Sequence, residues 1–179
     1  MRHLALSASG LALALSGCSS YGGPPPPNYP PVASAAADLR DPYGRSMGTA
    51  TITQVGEGLR LAIQGMNLSP GAHGFHIHQT GVCAPPDFTS AGPHWNPTNR
   101  QHGKDNPAGM HHGDLPNLLI GADGRGSLEY TIPVARLSGA RGALLDADGA
   151  SLVIHAAADD YRTDPSGNSG ARIACGVFR

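Results

Sequence analysis

Thr49-Ala50-Thr51-Ile52-Thr53-Gln54, then Gly56-Glu57-Gly58, then Leu59-Arg60-Leu61-Ala62-Ile63-Gln64 is the stretch that decides the fold class. Both six-residue runs send alternate side chains to opposite faces, the period of an extended strand, and their β-branched residues favour that conformation. The glutamate between two glycines reads as a hairpin turn. The signature recurs further along the chain. Phe75-His76-Ile77-His78 alternates, and Leu118-Leu119-Ile120 is a short apolar run. Asp123-Gly124 turns into residues 127–132, Asp148-Gly149 turns into residues 152–155, and residues 171–178 close the chain. Short strands joined by glycine turns predict an all-β fold, a Greek-key β-sandwich or flattened barrel of about eight antiparallel strands. Residues 80–114 carry no strand pattern. A structureless stretch that long inside a compact domain is usually functional, so long loops are expected to hold the site.

The N-terminus reads as a targeting segment. Arg2 precedes an apolar stretch over residues 4–15, and Leu15-Ser16-Gly17-Cys18 resembles the lipobox of bacterial lipoproteins. The expectation is a signal peptide over residues 1–17, a lipidated Cys18 opening a proline-rich tether over residues 18–37, and a folded domain over residues 38–179. Acyl chains contribute roughly 0.8 kcal/mol per buried methylene, so several give stable anchoring. This places the protein in the bacterial cell envelope, lipid-anchored in the outer membrane and facing the periplasm, with Ser19 compatible with that sorting. No apolar run after the first twenty residues resembles a transmembrane helix, so the anchor is the expected membrane contact. A formal net charge of −1, with Lys104 the single lysine, lacks the basic footprint of a nucleic-acid binder. With Cys18 lipidated, Cys83 and Cys175 remain, and an exported chain with two cysteines suggests one disulfide. Asp146-Ala147-Asp148-Gly149 lacks the downstream glutamate of a calcium loop and reads as a turn.

Seven of the nine histidines fall between His73 and His112. Imidazole suits copper and zinc, and a carboxylate completes a zinc shell. His76 and His78 sit at i and i+2 of a strand and project from one face, which is half of a copper site or an ordinary surface pair. His94, His102, His111 and Asp114 lie on irregular chain that can fold around an ion, and three histidines with one carboxylate make a closed zinc set. His112 adjoins His111 and could also reach that ion; the three-residue offset to Asp114 favours His111.

Gly74-Phe75-His76-Ile77-His78, Ser90-Ala91-Gly92-Pro93-His94-Trp95-Asn96-Pro97, His111-His112-Gly113-Asp114-Leu115, Ile154 to Asp160 and Gly170 to Val177 together resemble the bacterial, exported copper/zinc superoxide dismutases, in that family's order. The resemblance implies dismutation of superoxide to oxygen and hydrogen peroxide, with copper and zinc as cofactors. It implies copper ligation by His76, His78, His94 and His155, and zinc ligation by His94, His102, His111 and Asp114, with His94 bridging. It further implies that Arg172 lies beside the copper, that Asp159 links a copper-side histidine to a zinc-side one, that Cys83 and Cys175 pair, and that His73 is structural. Arg100, Lys104 and Arg172 are the expected guides for the substrate anion. Two alternatives remain, a non-catalytic copper-storing lipoprotein and a zinc hydrolase; a homodimer is left open.

Overall fold

A computed structural model describes residues 33–179. Nine strands follow in order: β1 (Ser34–Arg40), β2 (Ser46–Val55), β3 (Gly58–Gly65), β4 (Gly71–His73), β5 (Phe75–His78), β6 (Leu118–Ile120), β7 (Gly126–Ile132), β8 (Ser151–His155) and β9 (Arg172–Val177). Seven form one curled antiparallel sheet in the order β5-β8-β9-β1-β2-β3-β7, and β4 pairs with β6 in a second ribbon. The all-β expectation holds. Val55 pairs with Gly58, so the β2–β3 turn has two central residues, and Gly56 supplies its left-handed φ of 56°.

Two strands go beyond the expected set. β1 covers Ser34 to Ala37, which the sequence assigns to the tether, and lies between β2 and β9. Its burial alternates, with Ala35, Ala37 and Leu39 inward. Alanine stands on both faces, so the polarity contrast that marks a strand is weak in its sequence. β4 has three residues, too few for a period to show. Cys18 and the proposed signal peptide lie outside the described residues.

The main core gathers Leu39, Ile52, Leu59, Leu61, Ile63, Phe75, Ile77, Leu118, Leu152 and Ile154, all buried. A smaller cluster of Phe88, Ala91, Val153 and Cys175, with Cys83 packed against it, fastens the first part of the long loop to β8 and β9. The Cys83–Cys175 disulfide forms there, with a Cα–Cα distance of 5.7 Å. Alternation thus splits β5 and β8 by function. Phe75, Ile77, Leu152 and Ile154 enter the main core, which leaves His76, His78 and His155 to the opposite face.

Candidate metal centre

Backbone register assembles the centre. His155 pairs with Arg172 across β8 and β9, and β5 meets the loop through bridges His76 to Asp114 and His78 to His94. Ile77 is held on both sides, its N–H donating to Gly113 O at 2.9 Å and its carbonyl accepting from Trp95 N–H at 2.8 Å. Gly113 has no room for a side chain, since a Cβ would run into Ile77 O. These contacts bring His94 and Asp114 of the irregular loop against the two histidines of a rigid strand.

His76, His78, His94 and His155 present ligand atoms within 4.8 Å of one another. One nitrogen of each ring is already committed: His78 Nδ1 lies 2.7 Å from Gly92 O, His155 Nδ1 3.1 Å from Gly170 O, His76 Nε2 2.7 Å from Asp159 Oδ2 and His94 Nδ1 2.8 Å from Asp114 Oδ1. Carbonyls and carboxylates accept, so those nitrogens carry the protons and the opposite ones are bare lone pairs in the neutral rings. The opposite nitrogens are His76 Nδ1, His78 Nε2, His94 Nε2 and His155 Nε2, all buried without a hydrogen-bond partner. An orphaned buried polar group costs about 1–3 kcal/mol. Burial holds the rings neutral, pushing His76 to about 3 and His155 to about 4, and lowering His78 and His94. Four convergent lone pairs fit a cation that favours imidazole, as copper does.

The second set is built around a carboxylate. Asp114 Oδ1 lies 2.8 Å from His94 Nδ1, 3.0 Å from His102 Nδ1 and 3.0 Å from His111 Nδ1, and His94 and His111 Nδ1 are 3.4 Å apart. Zinc bonds of about 2.0–2.2 Å in a tetrahedron give edges of about 3.3–3.6 Å, so the cluster is slightly tighter than a zinc shell and matches it in composition. Asp114 Oδ2 accepts from the backbone N–H of Gly103 and of His111, both at 2.9 Å. Burial would raise the Asp114 pKa, but its hydrogen bonds to the three histidines hold it far below the carboxylate range. His94 is common to both sets, one nitrogen facing each.

Asp159 ties the two halves together, accepting from His76 Nε2 at 2.7 Å and from His102 Nε2 at 3.0 Å. His102 therefore lies between two carboxylates. Burial would lower its pKa, but Asp114 and Asp159 outweigh that and raise it to about 9. Residues that sequence reasoning passed over support this bridge. The Asn117 side chain donates to Asp159 O and accepts from Asp159 N–H, Tyr161 N–H donates to Asp159 Oδ1, and a Cβ at Gly167 would overlap Asp159 Oδ1. Arg172 donates to Phe88 O at 2.7 Å and Gly92 O at 2.9 Å, so one carbonyl, Gly92 O, holds both Arg172 and His78. Arg172 lines a cavity of about 660 Å³ with His78, His94, His155 and Arg100.

His112 stands apart, its Nε2 3.3 Å from Val134 O and its ring against Trp95. His73 is a buried packing residue whose ring nitrogens lie 2.7 Å from His155 O and 2.9 Å from Ser69 O. Lys104 does not line the cavity; its ammonium lies 4.2 Å from the Tyr161 ring centroid and 3.2 Å from Asp105.

The sequence profile of the copper/zinc superoxide dismutase (SODC) family matches residues 46–178. The chain belongs to the copper/zinc superoxide dismutase family. A copper/zinc superoxide dismutase of Caulobacter vibrioides is 44% identical, covering 82% of this chain and 86% of that one. A superoxide dismutase-like protein of Bacillus subtilis is 44% identical over 99% of this chain and 96% of its own length. The solved SOD-like protein from Bacillus subtilis shows 46% identity and a TM-score of 0.75, covering 79% of this chain and 96% of that one. The copper/zinc superoxide dismutase from Brucella abortus shows 33% identity and a TM-score of 0.65, covering 82% of this chain and all of that one. The curled antiparallel sheet is thus the copper/zinc superoxide dismutase fold, and copper and zinc are the cofactors that membership carries.

Proposed function

We propose that the protein dismutates superoxide, converting two superoxide anions and two protons into oxygen and hydrogen peroxide. In this reading His76, His78, His94 and His155 hold copper, His94, His102, His111 and Asp114 hold zinc, and His94 bridges the two. The observation that carries it is the set of four orphaned imidazole nitrogens, one of which belongs to a ring whose other nitrogen faces the Asp114 set. Such a copper/zinc pair supplies a reversible one-electron couple at one position and fixed positive charge at the other. His94 then has two duties. Its Nδ1 would stay on the Asp114 side, while its Nε2, the nitrogen offered to copper, would be the one to take up a proton and release it to the product anion. Arg172 offers a guanidinium held in place by two carbonyls, a fixed fork for a small anion at the mouth. Asp159 orients the His76 and His102 rings through their far nitrogens.

The disulfide and the lipobox-like N-terminus support export to the cell envelope, where an outer-membrane lipid anchor at Cys18 would let the domain intercept superoxide in the periplasm. A non-catalytic copper-holding protein is the second reading, prompted by the name of the Bacillus relative, which is only dismutase-like. Storage needs the ligands but not Arg172. Loading the purified protein with both metals and comparing wild type with Arg172→Ala separates the two. Rapid superoxide consumption, falling on the order of tenfold or more in the variant at unchanged copper content, supports catalysis. A metal-replete wild type that leaves superoxide decay unaltered would sink the dismutase reading.

A further inference from the structure

Two cavities reach residues of the proposed zinc set, and they differ in charge. The larger, of about 660 Å³, is lined by His94 and His111 of that set together with Arg100, Asp164 and Arg172, two guanidiniums against one carboxylate. The smaller, of about 130 Å³, is lined by His111 and Asp114, with Met110, His112, Tyr130 and Ile132. Of the two, only the smaller has Asp114 in its lining, and no arginine or lysine lines it. Met110, His112 and Tyr130 are each partly exposed, which puts this cavity at the surface. Its volume holds several waters, enough for a partly hydrated ion.

Within the zinc set, His111 is best placed to admit an ion. Its side chain keeps 9% exposure, against 3% for His94 and Asp114 and none for His102. His112, the neighbouring histidine outside the set, has a fixed ring. Its Nε2 donates to Val134 O at 3.3 Å, and the ring lies edge-on to Trp95 with centroids 5.2 Å apart. Charge decides between the two cavities. A cation in the larger one shares it with Arg100 and Arg172, and copper held by His78 and His155 would add to that positive charge. In the smaller one it meets the Asp114 carboxylate with no cation alongside. Like charges raise the free energy of an ion in a cleft and an opposite charge lowers it, so the smaller cavity is the easier path.

We propose that zinc enters and leaves through the smaller cavity, past Met110 and His112, by a route separate from the copper cavity. The inference rests on the zinc assignment of the Asp114 set and adds a route to it. A constriction on such a route slows entry and exit equally and leaves the affinity unchanged. The test is exchange of bound zinc with labelled zinc in solution, on the copper- and zinc-loaded protein, beside zinc affinity by competition titration. Met110→Trp and His112→Trp, which fill the cavity, should each slow exchange on the order of tenfold at wild-type affinity. Met110→Ala should quicken it. Ser166→Trp, which fills the larger cavity instead, should exchange as the wild type does. Wild-type exchange in both of the first two variants would overturn the route. So would slowing in Ser166→Trp alone, which places the path through the copper cavity, or altered affinity in the Met110 and His112 variants, which makes those side chains supports of the ligand set. Exchange is read without superoxide, so the dismutase reading stands or falls separately. A wild type that takes up no zinc overturns the zinc assignment itself.

Discussion

The two halves of the centre differ in what carries them and in what satisfies them. Three of the four histidines of the proposed copper set stand on β5 and β8, and their free nitrogens have no partner within the described residues. All four residues of the proposed zinc set stand on the long loop, and the atoms that face one another are already engaged through Asp114, whose other oxygen takes backbone N–H groups. A strand fixes direction by its ladder, so a rigid but unsatisfied set can be held open for an ion. A loop has no ladder and must be tied by its own hydrogen bonds, which here run through Asp114. The strand-borne half is preformed by the sheet; the loop-borne half is preformed by a carboxylate.

The hardest blow to that contrast is His94→Ala, which removes a donor from both halves. Its loss should exceed the roughly 10–100-fold in metal affinity typical of removing a partner behind a ligand, and superoxide consumption should fall at least as far. If only one metal is lost, as measured by elemental analysis, the shared-ring assignment is wrong. Asp159→Asn comes next. It leaves each donor set intact but removes the anion between His76 and His102, so zinc affinity should drop on the order of 10–100-fold while copper, held by strands, is retained better. Equal loss of both metals in a competition titration would erase the distinction between the halves.

Acidity probes the same contrast in metal-free protein. Unfolded imidazoles bind protons below about 6.5, whereas burial keeps His155 neutral down to about 4 and His76 to about 3. The unfolded state then binds more protons across that window, so stability should decline as pH falls from about 6.5 toward 4. His102, raised to about 9 mainly through Asp114 and Asp159 against its burial, contributes in the opposite sense. Its stabilisation is complete below 6.5 and is lost as pH rises through 9. Urea midpoints of chelator-treated protein should therefore peak between these limits, and a flat profile would count against the burial argument. The smallest expected effect is His112→Ala, within about 0.5 kcal/mol of wild-type stability and with unchanged zinc content. A measurable zinc loss would return His112 to the ligand set.

Much of this was legible without coordinates. The β2–β3 hairpin announced itself by alternation and glycine turn, and the His-rich loop by its length and donor types. β1 did not, because alanine on both faces gives no polarity contrast, and it proved to be an interior strand of the sheet. Gly92 O and Phe88 O were equally invisible, since every residue owns a carbonyl and nothing in the side-chain sequence marks the two that hold Arg172. Asn117 and Tyr161 carried no signal of their own; they matter only because Asp159 folds back between them.

The sequence by itself determined which atoms could bind metal and which segments would extend or turn, because donor chemistry and backbone preference belong to individual residues and near neighbours. Only the tertiary structure decided that residues 76, 94, 155 and 172 meet, that Lys104 turns to Tyr161 rather than the cavity, and that His112 faces away. Those outcomes depend on strand register and on loops closing across long separations. They are set by the sum of many packing contacts and are written in no short stretch of chain.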